Sequence, residues 1–318
     1  MTVTKEMHDK ELQAQYGQLR FLVSMNSRSW GLKIINGLVR LTKGQKIKDA
    51  INETHHVSSN HTKGRKIRTR AFRPAGTATE TLPAMIYFHG GGYMMGIPEM
   101  ANVFYEDILK RRKVAIFSPD YRVSQKDPFP AGFNDCYDVL LWVRDNAKEL
   151  NINPNKIIIA GHSAGGGMAA AITLKVRDTG DIKPVFQMPI YPMLDHRMIT
   201  KSSKMLGSTM WDANINARAW GLYLRNIKGE VPKYASPALN EDYSEFPPTI
   251  SFVGDLEPFY DENVAYIEAL KKASVPVKFK IFKGGYHGFE VGSPKAKISI
   301  EANNFQLDAF EEFYDKYI

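Results

Sequence analysis

The sequence predicts an α/β architecture, with a mostly parallel central sheet flanked by helices. Three observations carry this. Short, continuous apolar runs recur along the chain, as strands buried on both faces require. Segments with helical periodicity fall between them, so that strand alternates with helix. One run, Ile157-Ile158-Ile159-Ala160, leads into a serine flanked by glycines and then into an alanine-rich helical pattern, which marks a tight strand-to-helix turn.

The elements follow in order. Residues 1 to about 50 mix polar and apolar positions, with helical periodicity from Leu12 to Met25 and from Ile34 to Leu41, and precede the sheet. Lys66 to Phe72 alternates like a strand. Ala84 to Phe88 is a continuous apolar run ending at His89, and Val114 to Phe117 is another. Asp135 to Leu150 reads as a helix. After the serine turn, Ala164 to Arg177 reads as a helix, Val185 to Ile190 and Thr249 to Val253 as strands, and Asp261 to Ala273 as a helix. Val277 to Phe282 alternates, as an edge strand with one wet face does. Ala296 to Tyr317 closes the chain as a helix. The stretch from about 194 to 243 breaks the rhythm and predicts a helical insertion over the carboxyl ends of the strands, where open α/β sheets place ligands.

At 318 residues the chain can be one large α/β domain or two small ones, and its 43% hydrophobic content suits a sizeable core. The formal net charge of +8 is spread out. Its densest run, Lys63 to Arg70, predicts an exposed strand face rather than a nucleic-acid or membrane patch. One cysteine, Cys136, excludes an internal disulfide, suits a reducing, cytoplasmic compartment, and reads as a buried structural thiol. No apolar stretch reaches the ~18–20 residues of a membrane span. The first residues lack the apolar core of a signal peptide.

Three fragments carry chemistry: His89-Gly90-Gly91-Gly92-Tyr93, Gly161-His162-Ser163-Ala164-Gly165 and Gly284-Gly285-Tyr286-His287-Gly288-Phe289. Ser163 fits G-x-S-x-G, a turn that points a serine hydroxyl at the substrate. A free hydroxyl is a poor nucleophile and needs a neighbouring base. His287, in a glycine-rich loop past the last strand, is the candidate base. His162 adjoins the serine and should point away from its hydroxyl. Asp255, Glu257 and Asp261 all follow the strand Thr249 to Val253, and any of them could orient a histidinium. Gly90, Gly91 and Gly92 expose backbone that, with the N–H of Ala164, could hold an oxyanion.

These blocks resemble the hormone-sensitive-lipase family of α/β-hydrolase esterases, which includes the arylacetamide deacetylases. The match runs from about Arg68 to the C-terminus. It includes the block at 89–92, Asp120-Tyr121-Arg122 with Pro128-Phe129-Pro130-Ala131, Ser163-Ala164-Gly165-Gly166 and Tyr234-Ala235-Ser236-Pro237. Two positions depart from it. His162 stands where the family has an aspartate in G-D-S-A-G-G. Glu257-Pro258-Phe259-Tyr260-Asp261-Glu262 aligns without gaps with the family's D-P-L-x-D-E, so a glutamate stands at the acid position.

The resemblance implies an α/β-hydrolase fold and a serine carboxylesterase for short- to medium-chain acyl esters. Ser163, Glu257 and His287 are the expected triad, and Gly91, Gly92 and Ala164 the oxyanion hole, with Gly90 a helper. No cofactor and no metal are expected. The partner is a small ester, a homo-oligomer is compatible with the chain, and no nucleic acid is anticipated. An amidase or deacetylase would use the same triad, and a non-catalytic receptor on this fold would lack its histidine. A cap from residues 1–50 and about 194–243 is expected over a single domain spanning 1–318. Met205, Met210, Trp211, Trp220 and Tyr223 are candidates for its pocket lining.

Overall fold

The computed structural model describes residues 1–26 and 28–318. Eight strands form one sheet: β1 (Ala50–Ser58), β2 (Lys66–Pro74), β3 (Leu82–Phe88), β4 (Ala115–Pro119), β5 (Ile152–His162), β6 (Phe186–Ile190), β7 (Thr249–Gly254) and β8 (Val277–Phe282). Their order is β1-β2-β4-β3-β5-β6-β7-β8. β2 runs antiparallel to both its neighbours, and every pairing from β4 to β8 is parallel.

The continuous apolar runs form strands because both faces of the sheet are covered. On β3, Ala84, Ile86 and Phe88 enter one core and Met85 and Tyr87 the other. Ile157 and Ile159 of β5 likewise face away from Ile158 and Ala160. Helices α4 (Ala131–Asp145) and α5 (Ala164–Thr179) close the first core with Val139, Leu140, Met168 and Ile172. Helices α3 (Asn102–Arg111) and α7 (Lys297–Tyr317) close the second with Tyr105, Ile108, Phe310 and Phe313. At roughly 1.5–3 kcal/mol for each fully buried large apolar side chain, these two layers are the main stabilising term. Cys136 is fully buried in the first.

Several expectations need correction. β1 and α3 have no counterpart in the sequence reading. α4 starts at Ala131 and ends at Asp145, displaced toward the N-terminus from the expected 135–150. The expected N-terminal helices resolve into a 3-10 turn (Leu12–Gln15), α1 (Tyr16–Asn26) and α2 (Ser29–Arg40). The basic run is no exposed face. Arg70 is 5% exposed, and Arg68 and Arg70 both pair with Glu99, itself buried. Burial alone would raise the Glu99 carboxyl, but hydrogen bonds from Arg68 and from the Gly44 N–H outweigh it and hold it below its usual range. This pins the turn Pro98–Ala101, which leads into α3.

The chain leaves β3 for β4 on one side and returns through β5 on the other. The carboxyl ends of β3 and β5 therefore lie side by side, with Phe88 opposite Gly161, at a topological switch point. The His89 loop and the Ser163 turn emerge there. The insertion carries α6 (Ala213–Leu224), whose N-terminus is capped by Asp212 accepting from the N–H groups of Asn214 and Ile215.

Candidate active site

Ser163 joins β5 to α5 with φ 59° and ψ −122°. A non-glycine residue there is strained by roughly 1–3 kcal/mol, so its surroundings must hold it. They do: its N–H donates to Ile190 O at 3.0 Å, and its carbonyl accepts from Gly167 and Met193 at 2.9 and 3.1 Å. The turn is too tight for larger flanking residues. A Cβ on Gly161 would lie 2.2 Å from Gly165 O, and one on Gly165 would lie 2.0 Å from Phe88 O.

His287 reaches this serine from the loop after β8. Its Nε2 lies 2.7 Å from Ser163 Oγ, and its Nδ1 lies 2.5 Å from Glu257 Oε2. A carboxylate oxygen accepts, so Nδ1–H donates to Glu257. Nε2 is left with a lone pair aimed at the serine hydroxyl. Glu257 is fully buried, and its Oε1 accepts from Gly254 N–H at 3.3 Å. Phe259, Tyr191 and Trp211 wall the imidazole at ring distances of 4.9, 5.0 and 6.1 Å. The other two acids lie elsewhere. Asp255 Oδ1 accepts from Gly284 N–H at 2.7 Å and ties the β7 turn to the β8 turn. Asp261 exchanges hydrogen bonds with Ser202.

The glycine loop faces the same hydroxyl. A Cβ built on Gly90 would lie 3.6 Å from Ser163 Cβ. The N–H groups of Gly91, Gly92 and Ala164 have no acceptor among the described residues. Tyr121, from the Asp120-Tyr121-Arg122 block, supports this loop. Its hydroxyl donates to His89 O at 2.7 Å, and its ring stacks on the His89 imidazole at 4.1 Å. Arg122 of the same block grips Asp135 with Nη2 and Nε at 2.8 and 3.0 Å.

A family profile described as the α/β-hydrolase fold matches residues 85–291. The chain belongs to the α/β-hydrolase family. It is 33% identical to an AB hydrolase superfamily protein of Schizosaccharomyces pombe, over 73% of this chain and 71% of that one. It is 31% identical to an arylesterase of Saccharolobus solfataricus, over 66% of this chain and 69% of the relative. Among solved structures, a bacterial heroin esterase superimposes with a TM-score of 0.87 at 27% identity, covering 98% of this chain and 99% of that one. With these relatives, the α/β-hydrolase described here is a serine hydrolase of the hormone-sensitive-lipase-like esterases, and ester hydrolysis is its reaction class.

Ser163 and His287 open onto a cavity of about 480 Å³ in this hydrolase. Met210 and Trp211 line it, but three other expected lining residues do not. Met205 packs with Val3 and Leu256, and Trp220 and Tyr223 enter the main core, where Tyr223 stacks on Tyr93 at 4.1 Å. Their place on the wall is taken by Val103 and Phe104 of α3, Ile35 of α2 and Leu307 of α7. No sequence signal marked these, because each comes from a helix remote from the motifs.

His162 points away from the serine hydroxyl. Its Nδ1 lies 2.9 Å from Tyr87 Oη and its Nε2 lies 3.0 Å from Gln306 Oε1. Burial pushes its pKa down to about 4, against which the Gln306 hydrogen bond acts weakly. It is therefore neutral at physiological pH. No group of three His, Cys, Asp or Glu side chains suited to a metal occurs among the described residues. No helix among them is long and apolar enough to cross a membrane.

Proposed function

We propose that this hydrolase cleaves carboxylic esters of short- to medium-chain acyl groups through a Ser163–His287–Glu257 triad and an acyl-enzyme. The observation that carries the reading is the continuous relay from Ser163 Oγ to His287 Nε2 at 2.7 Å and from His287 Nδ1 to Glu257 Oε2 at 2.5 Å. Ser163 attacks the ester carbonyl while His287 Nε2 takes its proton. Glu257 holds the imidazole in the required tautomer and stabilises the histidinium. The carbonyl oxygen becomes an oxyanion in reach of the N–H groups of Gly91, Gly92 and Ala164, with Gly90 beside them. Each such donor is worth ~10²–10³ in turnover. His287 then returns the proton to the leaving alkoxide. Water, deprotonated by the same imidazole, resolves the acyl-enzyme.

The size preference follows from the cavity. Its walls are largely apolar, and its volume of about 480 Å³ accepts a small ester rather than a triglyceride. The N-terminal segment and the insertion at 194–243 act together as its cap. Val3 N–H donates to Leu206 O at 2.8 Å, and Arg20 pairs with Asp212 at 3.3 Å. Ile35 from the first piece and Trp211 from the second both line the cavity. A reducing, cytoplasmic setting suits the buried thiol of Cys136.

The test is a p-nitrophenyl ester series of graded chain length, followed by a fluorophosphonate probe and peptide mapping. Turnover with a label on Ser163 is expected. Turnover without serine labelling, or labelling at another serine, would overturn the assignment.

A further inference from the structure

One wall of the cavity takes no part in this relay, and its side chains keep more hydrogen-bond acceptors free than donors. Its members are Tyr87, Tyr191 and Glu290, with His162 and Gln306 joined to them. The donors of these five side chains are committed, and the amide nitrogen of Asn303, which also lines the cavity, is the donor that stands beside them. The Gln306 amide nitrogen donates to Asn303 Oδ1 at 2.9 Å, so Gln306 turns its oxygen to His162 and accepts the one N–H of the neutral ring from Nε2. His162 Nδ1 is then an acceptor, and the Tyr87 hydroxyl donates to it. The Tyr191 hydroxyl donates to Glu290 Oε1. What remains unspent on them is lone pairs: two phenolic oxygens and Glu290 Oε2.

Glu290 Oε2 has no partner among the described residues, although the side chain is only 3% exposed. A buried carboxyl oxygen without a donor is costly unless a ligand supplies one. Its surroundings select the sign of that ligand. No lysine or arginine among the described residues lines the cavity, while Asp107 does, in a chain whose formal net charge is +8. Burial also pushes the Glu290 carboxyl up to about 7, so an incoming cation would draw it into its ionised form.

We propose that this acceptor wall is a subsite for a protonated amine carried by the ester substrate, with Glu290 as its counter-ion. The assignment rests on the ester-hydrolase reading and narrows its substrate class to amino esters.

Two pairs of near-isosteric esters test it. 2-(Dimethylamino)ethyl acetate and 3-methylbutyl acetate differ on the alcohol side. Ethyl N,N-dimethylglycinate and ethyl 3-methylbutanoate differ on the acyl side. kcat/KM for each is measured by acid release at neutral pH and divided by the ester's alkaline hydrolysis rate. In at least one pair the amino ester should exceed its isostere by roughly tenfold to a hundredfold, the worth of a hydrogen bond to a buried charge. Glu290→Gln should collapse that ratio, whatever its absolute rates. A ratio unchanged in Glu290→Gln, with both members of the pair falling by the same factor, would make Glu290 a positioning residue for His287 and overturn the subsite. So would a wild-type preference for the uncharged ester in both pairs, a result that needs no variant to fold.

A binding measurement separates failure of the subsite from failure of the esterase reading. Ser163→Ala protein is titrated calorimetrically with the same four esters. Tighter binding of an amino ester than of its isostere supports the subsite even where no ester is turned over. Equal or weaker binding of both amino esters overturns it.

Discussion

The carboxyl of Glu257 meets the imidazole of His287 at 2.5 Å, Oε2 to Nδ1, while Asp255, two residues earlier, binds the backbone of Gly284 instead. The extra methylene of a glutamate is absorbed by the turn after β7, where Gly254 N–H steadies the other carboxyl oxygen. Glu257→Gln should lower kcat by about 10⁴, because a neutral amide cannot stabilise the histidinium and favours the wrong tautomer. Asp255→Asn keeps an oxygen for Gly284 N–H and should change kcat little, with a stability loss of about 1 kcal/mol. Both variants are assayed at saturating ester and checked by circular dichroism. A dead Asp255→Asn beside a near-normal Glu257→Gln would move the acid by two residues.

Ser163→Ala should abolish ester hydrolysis and leave the fold intact, since Ser163 is held in its strained conformation by backbone hydrogen bonds that alanine retains. Residual turnover near wild type, at an unchanged melting temperature, would remove the serine mechanism.

Most of the sheet was legible because its strands are buried on both faces and so read as apolar runs. β1 was not, because its own pattern is polar. Asn52, Glu53, Thr54, His55 and His56 fill its centre, and it is a strand by virtue of pairing with β2 along its whole length. The edge position of β8 was legible from its alternation, and its residues are mostly half-buried. Within the candidate site, Ser163 and His287 were marked by glycine-rich context, and Glu257 by a block resemblance rather than by chemistry. Long-range partners left no trace. Glu99 lies 31 residues from Arg68, and Tyr191 lies 99 from Glu290, so neither pair forms a local pattern. Alternation in the basic run correctly suggested a strand, but it could not show that Glu99 would cover it.

Gly92 has φ 60°, and a Cβ there would meet the Trp211 ring at 2.2 Å. Gly92→Ala should therefore displace an oxyanion donor and cost ~10²–10³ in kcat with a smaller change in KM. Adding Trp211→Ala removes the clash but not the backbone strain, so partial recovery is expected. Steady-state kinetics of the single and double variants check this. Full activity in Gly92→Ala would place the oxyanion elsewhere.

Acyl chain length should show an upper limit. Butyrate and hexanoate p-nitrophenyl esters should give the highest kcat/KM, with long-chain emulsions poor, because the cavity holds about 480 Å³. Comparable rates on a butyrate ester and a long-chain emulsion would contradict a closed acyl pocket.

His162 should make the fold acid-sensitive. Burial holds its pKa at about 4 in the native protein, whereas an unfolded chain restores the ordinary histidine value of about 6.5. Between those values the unfolded state binds the extra proton, so stability rises with pH across the window and is lost as pH falls through it. The loss is at most about 3 kcal/mol, and water reaching His162 from the cavity reduces it. Glu290 works in the opposite direction. Its native value of about 7 lies above the unfolded one, so its contribution is lost as pH rises. A pH profile of the wild type alone would therefore mix the two. Comparing wild type with His162→Gln removes the Glu290 contribution, which both proteins share. Urea unfolding at about pH 7, 6 and 5 should show the wild type losing stability relative to the variant at each step downward. A difference that stays constant with pH would mean that His162 takes up its proton in the folded protein as readily as in the unfolded chain.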